Sequence, residues 1–217
     1  MSRIAQIIQN PIQLLYVLPA IIIGMTVHEW AHAYAAYRLG DPTAKNLGRM
    51  TLNPLAHFDV FGFLMLLLVG FGWAKPVPIN PRNFKNYRRD DIIVSLAGIT
   101  MNFIVAFLFS FVYAAGVLKW GLGANTAFIN IFGEIIIINL ALALFNLIPI
   151  YPLDGSHVLE SLLVRKIPRF FMFMRRYGQW ILILLLLSGV VLSGLSYLVN
   201  GIANGFIQFA AGIINLF

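Results

Sequence analysis

The sequence predicts an all-α polytopic membrane protein, and three observations carry that reading. Of the 217 residues, 60% are hydrophobic and 11% charged, with a mean hydropathy of +0.84. A soluble domain of this length cannot cover so much apolar surface with so few charges, so a bilayer must act as much of the solvent. Long apolar runs recur along the chain, separated by polar, proline-containing or basic stretches. No polar stretch is long enough to build a soluble unit, which predicts one membrane-embedded domain over residues 1–217.

The first span covers residues 13–39. At roughly 1.5 Å per residue it is about 40 Å long, more than a hydrocarbon core requires. Arg3 precedes it, no small-residue cleavage site occurs before residue 24, and the run continues through His28, Glu29 and His32. It therefore reads as a retained helix rather than a signal peptide. Gly40-Asp41-Pro42 stops it, with Gly suited to the left-handed position after a helix.

Residues 44–53 read as a polar loop, and Asn53-Pro54 as a turn. Residues 61–71 are apolar but too short to cross, which predicts a re-entrant or interfacial segment. Pro76, Pro78 and Pro81 forbid a helix over 73–81, so that piece is expected to be extended, as a short edge strand. The second span runs over 91–119, with Asp90-Asp91 at its start. The third covers 128–147 and is ended by Pro149 and Pro152. A fourth is expected over 179–199, and 202–217 as a short fifth helix or an interfacial one. The architecture is thus three helices over about 13–160, with one or two C-terminal helices over about 178–217.

The net charge of +7 lies in the loops. Lys45, Arg49, Lys75, Arg82, Lys85 and Arg88 form one group, and Arg165, Lys166, Arg169, Arg175 and Arg176 another. The connection between the second and third spans offers only Lys119. This asymmetry is an orientation signal rather than a nucleic-acid footprint, and it puts the N-terminus outside with the basic groups cytoplasmic. The cluster over 82–89 reads as an anionic-lipid contact.

The chain has no cysteine, so disulfides and thiolate metal sites are excluded and any metal must be held by His and carboxylate. His28 and His32 stand at i and i+4, so one face of a helix offers both imidazoles to the same ion. Glu29 projects beside them, where a general base belongs. An unpaired charge in an apolar span costs roughly 2.5–3.5 kcal/mol on insertion scales, so these residues need partners or work. A catalytic site of this type needs a third protein ligand. Glu134, Asp154, His57 and His157 are the candidates. Glu134 is near the outer start of the third span. Asp154 lies just past its inner end, where the prolines break the helix and Gly155 permits a turn back toward the core.

His28-Glu29-Trp30-Ala31-His32 together with residues 146–155 (Asn146 through Leu153-Asp154-Gly155) resembles the site-2 protease family of intramembrane zinc metalloproteases. Gly98-Ile99-Thr100-Met101-Asn102 is similar to that family's central Gly-x-x-x-Asn element, and residues 48–54 and 73–81 resemble segments of its short bacterial-type members. The resemblance covers roughly residues 20–160 and looks like a compact member without a PDZ domain. Ile99 stands where many members have Pro, and Tyr151 where Pro is common; neither change removes a ligand.

The resemblance implies a three-helix catalytic core, one zinc ion per chain with Asp154 as third ligand, and Glu29 as catalytic base. It also implies transmembrane proteins as substrates, in a plasma or inner membrane with the site toward the cytoplasm. Asn102 and Asn146 become candidates for holding substrate backbone or a developing oxyanion, since an intramembrane amide is costly unless satisfied; interhelical packing is the alternative for Asn102. Residues 73–81 are expected either to hold an unwound substrate segment or to serve as a plain connecting loop. A divalent-metal transporter would need more ionisable residues along its spans than Glu134. A metal-binding regulator without activity would not need Glu29.

Overall fold

The computed structural model describes residues 12–69 and 72–216. Arg3, the last two residues of the predicted 61–71 segment and Phe217 lie outside them. Among the described residues the chain is all-helical: α1 (Ile12–Arg38), α2 (Thr43–Asn46), α3 (Val60–Val69), α4 (Tyr87–Leu118), α5 (Thr126–Asn146), α6 (Asp154–Leu163), α7 (Pro168–Leu187) and α8 (Val190–Ile214). Five of these, α1, α4, α5, α7 and α8, are long and apolar enough to cross a membrane.

The helices α1, α4 and α5 pack mutually into the central bundle, and α8 lies against α4 and α5. Small residues make this close approach possible where lipid supplies no hydrophobic drive between helices. Ala20 and Ala106 are fully buried between helices, Ala106 beside Ile136, Leu140 and Ala203 and Ala20 beside Val105 and Ile135. A β-carbon on Gly24 would come within 2.7 Å of the Leu142 side chain and 3.3 Å of Asn139 Oδ1, so α1 and α5 approach closely there.

The helix starts are chemically marked. Asn86 caps α4, and the Asp90 carboxylate accepts the Asn86 N–H at 2.9 Å, a reciprocal cap. This places the first turn of α4 a few residues before the expected start at 91. Asn125 caps α5 by accepting the Phe128 N–H at 2.9 Å. Helix α3 rises only about 15 Å, half a hydrocarbon core.

Two expectations are corrected. The fourth span is displaced: α7 begins at Pro168 and ends at Leu187, and α8 begins at Val190, inside the stretch predicted as one helix. Pro168 is pre-organised for the first helical turn. Arg175 and Arg176 sit within the helix and do not stop it, their long stems letting the charged heads stay at its polar end. Gly189, with φ of +74°, supplies the left-handed residue that breaks the run. The last helix is consequently 25 residues long, not a short one beginning at 202.

The second correction concerns 73–81. These residues are extended, but no strand occurs among the described residues. Prolines at 76, 78 and 81 remove three ladder donors, and the remaining groups bond elsewhere: Lys75 N–H to the His57 carbonyl at 2.9 Å, and the Lys75 carbonyl to Arg49 at 2.8 Å.

If all five candidate spans cross, the 121–125 turn and the Ser188–Gly189 break lie on one face and the two basic clusters on the other. The cysteine-free chain makes this easy to check. Single cysteines at Lys85 and Lys166 are expected to react with an impermeant maleimide from one side of the membrane, and cysteines at Gly123 and Ser188 from the other. Reaction of Lys85→Cys and Ser188→Cys from the same side would overturn the five-span arrangement.

Candidate metal centre

The centre is assembled from three helices. Helix α1 supplies His28 and His32, one turn apart and both buried. Helix α6 supplies Asp154 from its first turn. Helix α4 runs behind the two rings. The sharp reversal between α5 and α6 is what returns Asp154 to the bundle. At Gly155 a β-carbon would lie 2.3 Å from the Leu147 carbonyl oxygen and 2.8 Å from that of Ile148, so this reversal can close only on a glycine. Two further ties hold α6: Ser161 Oγ donates to Asp91 Oδ2 at 2.6 Å, and Glu160 pairs with Arg175 at 2.7 Å.

The imidazole tautomers follow from their outer partners. His32 Nδ1 lies 2.7 Å from the Val94 carbonyl, which can only accept, so Nδ1 carries the proton. Asn102 Nδ2 donates to the Gly24 carbonyl at 3.0 Å and to Asn139 Oδ1 at 2.9 Å. That fixes the amide so that Asn102 Oδ1 faces His28 Nδ1 at 2.7 Å, and His28 too is protonated on Nδ1. Both Nε2 lone pairs therefore point inward. This is the second-shell arrangement that orients metal-ligating histidines.

Three acceptors then converge. His28 Nε2 and His32 Nε2 are 2.9 Å apart, and Asp154 Oδ2 is 3.1 and 3.2 Å from them. Among the described residues these three form the group able to hold a metal. Tetrahedral zinc with ligands at about 2.0–2.2 Å has ligand–ligand edges of roughly 3.3–3.5 Å, close to this triangle. Asp154 Oδ2 is buried and satisfies no hydrogen bond within the chain, so a cation among the three acceptors accounts for an atom otherwise left orphaned. The donor set fits zinc.

Gly98 makes room for the rings. A β-carbon there would sit 2.6 Å from His28 Cε1 and 2.6 Å from His32 Nε2. Its role is thus more specific than general helix approach. Glu29 is half-buried, and its Oε2 accepts the Val77 N–H at 2.7 Å. Asn146 lies at the end of α5 with Nδ2 bonded to the Leu142 carbonyl at 3.0 Å. Among the other third-ligand candidates, His57 is buried with Nε2 donating to the Thr51 carbonyl at 2.8 Å, and His157 packs near Tyr151. Neither these nor Glu134 join the cluster. An apolar groove of about 360 Å³ between α1 and α4, lined by residues such as Trp30, Tyr34, Ala97 and Met101, contains none of the three ligands.

Sequence reasoning overlooked Asn139, Val94 and Val77. Asn139 carries the same signal as Asn102 and Asn146, a lone amide in an apolar span. The other two act through backbone atoms, which leave no trace in residue type.

The profile of Peptidase family M50 matches residues 16–188. The chain belongs to that family, the site-2 proteases. It is a metalloprotease. The protein is 44% identical over 151 residues to "Putative zinc metalloprotease YwhC" of Bacillus subtilis (strain 168), covering 68% of each chain. It is 28% identical over 177 residues to "Putative zinc metalloprotease Rip2" of Mycolicibacterium smegmatis, covering 77% of this chain and 64% of that one. No solved structure matches.

Gly98→Ala is expected to reduce bound metal sharply, as His28→Ala, His32→Ala and Asp154→Ala do, whereas His57→Ala retains it. Elemental analysis of the purified proteins checks this. Full metal content in Gly98→Ala would show that the rings tolerate a neighbour the geometry forbids.

Proposed function

We propose that this protein hydrolyses peptide bonds within or near transmembrane segments of other membrane proteins. It uses one zinc ion per chain held by His28, His32 and Asp154. The observation that carries the reading is the convergence of three lone-pair atoms inside a helical bundle long and apolar enough to lie in the bilayer. Zinc is the choice supported by the donor set and by the names of both relatives.

When bound, the metal lowers the pKa of water and polarises a carbonyl oxygen. The rest falls to the chain. Glu29 lies outside the ligand set, because the two histidines already occupy the metal-facing stripe of α1. With Oε2 held by the Val77 N–H, Oε1 is left to take the proton of the attacking water and later deliver it to the leaving amine. Asn102 acts through His28, since both of its amide hydrogens are committed to Gly24 and Asn139. Asn146, whose Nδ2 donates to the Leu142 carbonyl, offers its Oδ1 to a substrate N–H. The extended residues 73–81 run past Glu29 and border the unwound substrate. The basic clusters put this end of the bundle at the cytoplasmic face of a plasma or inner membrane.

Glu29→Gln preserves size and can still accept from Val77, but it removes the base. This variant is expected to keep one zinc per chain and its fold while cleaving a tagged single-span test substrate at least roughly 10²-fold more slowly. Cleavage at the wild-type rate by both Glu29→Gln and His28→Ala would end the metalloprotease reading of this site.

A further inference from the structure

We infer that Asp41 is a positioning residue for the reaction: it anchors the extended segment after α3 to the end of α1, and thereby holds the Val77 N–H against Glu29. The inference rests on the role proposed for Glu29.

A carboxylate offers about four lone-pair sites. Asp41 accepts four hydrogen bonds, three on Oδ1 and one on Oδ2, although it is fully buried. Oδ1 accepts from the Thr43 N–H at 3.1 Å, from the Thr43 hydroxyl, and from Asn83 Nδ2 at 2.7 Å. Oδ2 accepts from the Asn80 N–H at 2.7 Å. Burial opposes ionisation, but the bonds from Thr43, Asn80 and Asn83 outweigh it and keep the carboxyl below its usual range. The two bonds to Thr43 are what a local turn requires. Those to Asn80 and Asn83 span some forty residues of sequence and serve no local turn. Gly40 helps to place the carboxylate: its φ is +108°, and a β-carbon there would lie 3.1 Å from the Asn83 carbonyl.

Val77 precedes the pinned Asn80 by three residues, and Pro78 lies between them. A proline fixes its own φ near −65° and restricts the residue before it, so the link from Asn80 back to Val77 is stiff. The other side of Val77 is held as well. Arg49 donates to the Lys75 and Pro76 carbonyls at 2.8 and 3.3 Å, and Lys75 N–H bonds the His57 carbonyl. The Val77 side chain itself is buried against Ala33 and Ala44, one residue beyond the ligand His32. Its N–H reaches the same helix and meets Glu29 Oε2 at 2.7 Å. Asp41 touches neither metal ligands nor Glu29. It acts through the backbone of residues 77–80.

The experiment compares Asp41→Asn, which keeps the shape but turns one acceptor into a donor, with Val77→Pro, which removes the N–H and exchanges the buried valine side chain for a proline ring. Wild type and Glu29→Gln are the references. Metal content, KM and kcat on the tagged single-span substrate, and amide hydrogen exchange over residues 73–81 are measured for each. Asp41→Asn is expected to keep its metal and KM, to lose roughly 10- to 100-fold in kcat, and to exchange the Val77 amide faster. Val77→Pro is expected to lose kcat by a similar factor with metal retained. Placed in the Glu29→Gln background, Asp41→Asn is expected to add no further loss, because the two act on one step. Loss of metal in Asp41→Asn would reduce the residue to a structural cap and overturn the inference, and so would unchanged Val77 exchange. Wild-type kcat in Asp41→Asn with an inactive Glu29→Gln would also overturn it, leaving the protease reading intact. Wild-type activity in Glu29→Gln would instead remove that reading.

Discussion

Two imidazole nitrogens and a carboxylate oxygen meet within 3.2 Å in a helical bundle. In surroundings of low dielectric such a group repels itself unless a cation sits among its members. The features around it are consistent with keeping those three atoms where only a cation satisfies them. The Val94 carbonyl and the Asn102 amide remove the alternative tautomers. Gly98 leaves no atom that would tilt the rings, and Gly155 lets α6 return closely enough to bring the carboxylate in.

The same atoms serve packing and chemistry. The chain of hydrogen bonds from Gly24 through Asn102 to Asn139 joins α1, α4 and α5 at one level. Interhelical amide bonds in membranes are individually modest, about 0.6 kcal/mol on average. Their larger effect here is on orientation, since an amide with both hydrogens and its oxygen engaged has one position available. The rigidity of the bundle and the aim of His28 are thus one property. The extended segment extends the logic beyond the helices: its prolines cannot donate to a sheet, and Arg49, Glu29 and Asp41 bond the Lys75 and Pro76 carbonyls and the Val77 and Asn80 N–H groups.

Much of this was legible because the bilayer makes polarity conspicuous. In a span of almost uniformly apolar residues, His28, Glu29 and His32 stand out, and helical spacing alone puts both rings on one side. The three central helices follow from hydropathy to within a few residues at their ends. The position of Asp154 required more, namely the break at Pro149 and Pro152, the glycine after it, and the family resemblance. Where the reading failed, the cause is local. Arg175 and Arg176 suggested a loop, but both lie on the polar end of a helix begun by Pro168. Gly189 falls inside the predicted 179–199 span, and its left-handed conformation divides that run in two. The predicted strand had the right backbone and no partner. Val94 and Val77 contribute a carbonyl and an amide common to every residue, so no pattern of side chains points to them.

The separation of the ligands along the chain has a consequence for synthesis. More than half the sequence lies between His28 and Asp154, and the intervening stretch includes the two helices that support the rings. A nascent chain therefore exposes His28, Glu29 and His32 to the membrane long before Asp154 leaves the ribosome. Until α5 has been inserted and the chain has turned back at Gly155, there is no complete set of donors to retain a metal. On the ligand set proposed above, a peptidase that shares its bilayer with newly inserted helices thus lacks its metal site until its own chain has turned back.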